Sequence, residues 1–185
     1  MTPNRTLVLP NRFADEQPPR KLIVVGISDF KVSSDPDAAI VTYALGSCIA
    51  MVLFDPVARL GGLLHIILPE SKLNPVKAAV NPFMFADTGI PKAFDRLIEQ
   101  GANWKRLTVY LAGGAQVMDP QGIFNIGKRN HAMVRKLLWK AGVMVTDEAV
   151  GGEVSRTVRL ELNSGKCYVR EGGREDTEVA LKGGF

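Results

Sequence analysis

The residues Ala44–Pro69, ALGSCIAMVLFDPVARLGGLLHIILP, decide the fold because they contain two apolar runs of strand length joined by one turn. The runs Ser47–Phe54 and Gly61–Leu68 have the short length and the aliphatic and aromatic content of β-strands. Asp55 and Pro56 lie between the runs, and both residue types favour turn backbone. The stretch therefore predicts a β-hairpin.

The segments on either side of the hairpin add strands and two helices. Helical spacing of apolar residues runs over Phe83–Gln100, and a second amphipathic helix is predicted over Asn125–Lys140, closed by Gly142. Further strands are predicted at residues 21–27, 39–45, 107–112, 143–146, 156–162 and 167–170. Because the strands are mostly consecutive, the pattern favours an α+β fold, an α/β sandwich with two main helices, over a doubly wound sheet.

The two ends of the chain lack the periodicity of the middle. Residues 1–20 carry closely spaced prolines and are predicted to be a mobile N-terminal arm. Residues 171–185 are polar and rich in glycine, and they are predicted to be a C-terminal tail. Residues 21–170 are then expected to form one domain, which is the usual number for a chain of 185 residues.

The composition excludes several classes of protein. With 46% hydrophobic residues, and with apolar runs such as residues 48–54 far below the roughly 18 residues of a membrane span, no membrane insertion is expected. A net charge of +4 is too small to predict nucleic-acid binding. The N-terminus has no signal-peptide pattern, so we expect a cytoplasmic protein. Cysteines and histidines at positions 48, 65, 131 and 167 match no zinc-ligand spacing, so no metal is expected.

Cys48 and His65 stand out within the hairpin. Cys48 follows Gly46 and Ser47 where a strand begins, so its sulfur can lie beside free backbone N–H groups that would hold an oxyanion. If the numbers of opposing residues sum to 113, Cys48 faces His65 directly; if they sum to 115, the two are diagonal neighbours on one face, and at 114 they are on opposite faces. The residues alone leave two interpretations open, a nucleophile with its base or a cysteine and a histidine of the core.

Asn130 is the odd residue of the second helix. It falls on the apolar arc that includes Val134 and Leu138, where a polar amide must find hydrogen-bond partners. The opposite arc is basic, which indicates either a solvated face or a docking surface for an acidic partner.

Five motifs in a fixed order connect the chain to a known family: ALGSCIAMVLFDPVARLGGLLHIILP, FADTGIPKAF, LAGGAQVM, FNIGKRNHAMVRKLL and GGEVSRTVRLELNSGK. Over roughly residues 22–170 the sequence resembles the chemoreceptor glutamine deamidases of bacterial chemotaxis, the CheD family. The resemblance implies a fold similar to that of bacterial deamidating toxins. It places the family's nucleophile on Cys48, its histidine on His65 and its threonine on Thr42.

The resemblance implies an amidohydrolase that converts glutamines of the cytoplasmic domain of methyl-accepting chemoreceptors to glutamates. A Cys48 thiolate, favoured by an adjacent imidazolium, would attack the carboxamide, and His65 would protonate the departing ammonia. Gly46 and Ser47 would support the oxyanion through their backbone, and Thr42 would either orient His65 or donate to the oxyanion. No cofactor is implied. The alternative is a non-catalytic partner and regulator of a CheC-type chemotaxis phosphatase.

Overall fold

Within residues 21–117 and 124–179, which this computed structural model describes, the chain forms ten strands and three α-helices. The helices are α1 (Pro75–Val80), α2 (Ala86–Glu99) and α3 (Ile126–Lys140). The strands are β1 (Lys21–Val24), β2 (Phe30–Ser33), β3 (Ala38–Leu45), β4 (Ile49–Asp55), β5 (Leu60–Ile66), β6 (Thr108–Gly113), β7 (Asp147–Val150), β8 (Arg156–Glu161), β9 (Cys167–Glu171) and β10 (Thr177–Val179).

The described strands form two five-stranded sheets. The first has the order β1-β3-β8-β9-β10, in which β1 and β3 are parallel and the other neighbours are antiparallel. The second has the order β2-β5-β4-β6-β7, in which only β6 and β7 are parallel. The hairpin predicted from the sequence is β4 and β5, and it supplies two of the three inner strands of the second sheet.

The second sheet is the middle layer of the sandwich, with the first sheet on one face and α2 and α3 on the other. Every residue of β4 is buried, because its alternate side chains enter two different cores. Ala50 and Val52 pack toward the first sheet with Leu160, while Met51 and Leu53 pack toward the helices. This double burial explains why the run Ile49–Phe54 is uniformly apolar.

The far end of β4 is anchored by a buried carboxylate. Asp55 is fully buried, accepts the backbone N–H groups of Val57, Ala58 and Asn103, and forms an ion pair with Arg106 at 2.8 Å. Burial alone would raise the pKa of Asp55, but Arg106 and the three N–H donors outweigh it and hold the pKa at about 2. The turn between β4 and β5 is therefore built around an ionised group.

The α+β class and the sandwich with two main helices are confirmed. The strand predicted at residues 143–146 is wrong. The strand that pairs with β6 begins directly after this segment and runs from Asp147 to Val150. The tail predicted from residue 171 is partly wrong, because Thr177–Val179 pairs with β9 and extends the first sheet. The predicted arm, residues 1–20, lies outside the described residues.

Two further short elements, β2 and α1, were also not predicted. The polar residues that follow Phe30 indicate a break between strands. In the structure, however, Phe30 is buried and β2 pairs with β5. α1 begins with Pro75 at its first position, and the side chain of Asn74 caps it by accepting the N–H of Lys77. None of the helices in the described ranges has the length and apolar content that a membrane crossing requires.

Candidate active site

A distortion at the end of β3 aims the segment Gly46–Cys48 out of the sheet. The pairing of β3 with β8 shifts between Thr42 and Leu45, and Ala44 has the positive φ of +54° that L-residues rarely adopt. Backbone strain of this kind is held in place only where surrounding contacts fix it. The segment leaves the first sheet at Leu45 and joins the second sheet at Ile49, so it bridges the two sheets at one edge of the sandwich.

The loop after β6 holds this segment from the other side. The N–H of Gly114 donates to the carbonyl oxygen of Cys48, and the N–H of Ala115 donates to that of Gly46, both at 2.8 Å. Gly113 has a φ of +110°, and a Cβ atom there would overlap the Cys48 carbonyl oxygen, so the close approach requires glycine. Gly127, in the first turn of α3, likewise lies against Gly114. The glycines of two of the sequence motifs thus pack around Cys48.

The hairpin register brings Cys48 and His65 to the same face. Ala50 pairs with His65 and Ile49 with Ile66, so opposing residue numbers sum to 115. Cys48 precedes β4 by one residue and has the same parity as Ala50, which makes it the diagonal neighbour of His65. Both residues lie on the face of the hairpin that is directed toward the first sheet, where Thr42 approaches from β3.

A chain of hydrogen bonds fixes the imidazole of His65. Thr42 Oγ1 lies 2.8 Å from the carbonyl oxygen of Val25 and 2.9 Å from His65 Nδ1. The hydroxyl has one hydrogen, and a carbonyl can only accept, so Thr42 donates to Val25 and accepts from Nδ1–H. His65 Nε2 is then the basic nitrogen, and among the described residues it has no hydrogen-bond partner. The structure thus brings Thr42 and His65 into direct contact and leaves one nitrogen available as a base.

Burial favours the neutral forms of both groups. His65 is 2% exposed, and burial lowers its pKa to about 4. Burial also raises the pKa of the Cys48 thiol, an effect that the backbone N–H of the same residue partly offsets. A neutral thiol beside a neutral imidazole is therefore favoured over the thiolate and imidazolium pair expected from the sequence.

A cleft of about 430 Å³ opens onto Cys48. Gly46 and Ser47 form one wall, the residues 115–117 form the second, and Ile126 of the first turn of α3 forms the third. Thr42 and His65 are buried and are not among the residues that line the cleft. Among the side chains that the structure describes, no three His, Cys, Asp or Glu residues come together as a metal site.

Arg156 is a supporting residue that the sequence reasoning did not identify. It is buried, forms an ion pair with Glu171 at 2.8 Å, and donates to the carbonyl oxygens of Gly113 and Gly151. It thereby fixes the loop that holds the backbone of Cys48. The sequence of β8 does indicate that Arg156 is buried, because side chains alternate between the two faces of a strand. Arg156 lies on the same face as the inward residues Val158 and Leu160.

The lowered pKa of His65 predicts a loss of stability in acid. Between its ordinary pKa of 6.5 and the folded value of about 4, the unfolded chain binds a proton that the folded chain excludes. The free energy of unfolding is thus expected to fall by about 2 to 3 kcal/mol from about pH 7 to about pH 4.5, at about 1.4 kcal/mol per pKa unit. Urea unfolding of the wild type and of His65→Gln measures this loss, and an equal pH dependence of the two proteins would contradict it.

Comparison with known proteins places this chain in a family. Residues 67–171 match the family described as CheD chemotactic sensory transduction. A relative from Solibacter usitatus (strain Ellin6076), named "Probable chemoreceptor glutamine deamidase CheD", is 51% identical over 153 residues, which are 83% of this chain and 90% of the relative.

Relatives from two further bacteria agree with this match. The "Probable chemoreceptor glutamine deamidase CheD 2" of Anaeromyxobacter dehalogenans (strain 2CP-C) is 51% identical over 151 residues, which are 82% of this chain and 95% of the relative. The corresponding "CheD 1" protein of Syntrophus aciditrophicus (strain SB) is 47% identical over 151 residues, or 82% of this chain and 94% of that relative. With these motifs, this coverage and this identity, the chain belongs to the CheD family.

Proposed function

We propose that this chain is a chemoreceptor glutamine deamidase that hydrolyses glutamine side chains with Cys48 as nucleophile. The observation that carries the proposal is the contact of Thr42 Oγ1 with His65 Nδ1, because it leaves Nε2, which has no partner among the described residues, as the basic nitrogen on the face shared with Cys48. The cleft at Cys48 supports it, since an amide side chain can reach the sulfur there. The names of the relatives support glutamine as the substrate.

In the first half of the reaction, His65 Nε2 takes the proton of the Cys48 thiol while the sulfur attacks the carboxamide carbon. This general-base step suits a pair that is neutral at rest, because the charges form only as the bond to carbon forms. The oxyanion of the tetrahedral intermediate accepts hydrogen bonds from backbone N–H groups of the segment Gly46–Cys48. His65 then gives its proton to the nitrogen, ammonia leaves, and a thioester remains on Cys48.

In the second half, water attacks the thioester. His65 Nε2 accepts a proton from that water, the oxyanion forms again in the same place, and the sulfur leaves with the proton from His65. The product is glutamate and the starting thiol. Thr42 orients His65 throughout, because its one hydrogen is donated to Val25 and is therefore not available to the oxyanion.

The partners follow from this chemistry and from the family. The substrate is the cytoplasmic domain of a chemoreceptor, and we place the protein in the cytoplasm with it. Docking to a CheC-type phosphatase is a second proposal, which the family resemblance implies.

The proposed activity is tested by mass spectrometry of a purified receptor cytoplasmic domain incubated with the protein. Replacement of an amide NH₂ by OH raises the mass of a peptide by about one dalton per glutamine. We expect this gain at a few glutamines, in proportion to the amount of protein and with release of an equal amount of ammonia. A receptor whose peptide masses do not change at any protein concentration would contradict the proposed function.

A further inference from the structure

Asn130 of α3 connects the two segments that carry the proposed catalytic residues. Its side chain is fully buried, and Nδ2 donates to the carbonyl oxygen of Ser47 at 3.0 Å and to that of Ile67 at 2.9 Å. Ser47 precedes Cys48, and Ile67 follows His65 by two residues. One amide group thus uses both of its hydrogens on the backbone beside the cysteine and beside the histidine.

The orientation of this amide is determined by its partners. Both partners are carbonyl oxygens, which only accept hydrogen bonds, so the nitrogen and not the oxygen must face them. Asn130 Oδ1 is buried and has no partner among the residues that the structure describes. An asparagine kept in the core with its oxygen unpaired indicates that its two donors serve a purpose beyond burial.

The bond to Ser47 also sets the direction of the next N–H group. In a trans peptide the C=O and the N–H that follows it point in opposite directions. Because the Ser47 carbonyl points at Asn130, the Cys48 N–H points away from α3. Within the described ranges of the chain, this N–H forms no hydrogen bond to another residue.

We propose that Asn130 is a positioning residue that, by holding the Ser47 carbonyl, aims the Cys48 N–H at the oxyanion formed when an acyl group is attacked by Cys48. This inference rests on the proposed role of Cys48 and adds the residue that orients its backbone donor. The bond to Ile67 fixes Asn130 against the end of β5. The contact of Gly127 with Gly114 fixes the start of the same helix against the loop after β6. The donor is therefore held before substrate binds, as electrostatic stabilisation of an oxyanion requires.

Two reactions of the same sulfur separate this role from a merely structural one. p-Nitrophenyl acetate transfers its acetyl group to Cys48 through a tetrahedral oxyanion: the sulfur–carbon bond forms, p-nitrophenolate leaves, and the thiol proton passes to His65 or to solvent. Iodoacetamide alkylates Cys48 by displacing iodide from a CH₂ group, so no oxyanion forms. The ratio of the two rate constants isolates the contribution of the oxyanion donor and does not depend on the receptor.

For Asn130→Leu, which has a similar volume and no donor, we expect the acylation rate constant to fall by about 10-fold to 100-fold. This is less than the roughly 10²-fold to 10³-fold for removal of an oxyanion donor, because the Cys48 N–H remains and only its orientation is released. The alkylation rate constant is expected to stay within about twofold, because the thiol itself is unchanged. Asn130→Ala, which is smaller and also has no side-chain donor, provides the same comparison if the leucine variant fails to fold.

Thr108→Val is the matched control. Thr108 is buried and donates to the carbonyl oxygen of Phe54, so its loss removes a side-chain donor from the opposite end of β4. The ratio of the acylation rate constant to the alkylation rate constant for Thr108→Val should equal that of the wild type. An unchanged ratio in the Asn130 variants, or an equal fall in Thr108→Val, would overturn the inference. A wild type that is acetylated at Cys48 but leaves receptor glutamines intact would instead contradict only the proposed substrate.

Discussion

Cys48→Ala is expected to abolish deamidation, lowering kcat by about 10⁴-fold or more, because it removes the sulfur on which the covalent intermediate would form. The fold should persist, since Cys48 is only half-buried and the substitution removes one atom beside an open cleft. Ammonia release and receptor peptide masses measure the activity, and thermal unfolding measures the fold.

Cys167→Ala is the control for this prediction. Cys167 is fully buried between the two sheets, and burial raises its pKa to about 12, so it is unreactive at neutral pH. Its variant should lose some stability through the small cavity but keep its activity. Equal activity of the two variants, whether high or low, would show that Cys48 is not the only nucleophile.

His65→Gln is expected to lower kcat by about 10²-fold to 10⁴-fold, the usual contribution of a general acid and base. The pH dependence of Cys48 alkylation should stay nearly the same as in the wild type, because burial keeps the thiol protonated with or without the imidazole. Stopped assays of ammonia release and alkylation across pH give both quantities from the same preparations.

His131→Gln is the matched control, since His131 contacts Glu148 on the surface and lies outside the cleft. This variant should keep the activity of the wild type. A wild-type thiol that alkylates rapidly in acid, and loses this reactivity only in His65→Gln, would show that the resting pair is thiolate and imidazolium. In that case the role of His65 would stand and the neutral pair would be wrong.

The hairpin, with Cys48 and His65 on it, was predictable from the sequence, but its register was not. Three registers were compatible with the residues, and they differ by the length of the turn. The observed turn has four residues between Asp55 and Leu60, because the Asp55 carboxylate accepts the N–H groups of Val57 and Ala58 and so supports a wider loop. The same carboxylate is paired with Arg106, which lies far away in the sequence.

The protonation state of the site was also beyond the sequence. Taken as two neighbouring residues, Cys48 and His65 predict a thiolate and imidazolium pair. In the folded chain, burial lowers the pKa of His65, and its hydrogen bond to Thr42 is compatible with a neutral imidazole. Asn130 was recognisable as a polar residue on an apolar arc. Its partners were not, because Ser47 and Ile67 are 83 and 63 residues away.

The two ends of β4 carry different kinds of mutational risk. At one end, Asp55 and Arg106 hold the turn and the chain together, so damage there reduces how much folded protein accumulates in a cell. At the other end, the backbone of Cys48 is held by the N–H of Gly114, and that of Ser47 by the side chain of Asn130, so damage confined to the Cys48 side chain is expected to reduce the turnover of each molecule more than its abundance. Selection on this strand therefore acts on two separate traits, the amount of folded protein and the turnover of each molecule. A substitution that stabilises the Asp55 end can raise the amount of folded protein and so offset a loss of turnover at the Cys48 end, without altering the chemistry.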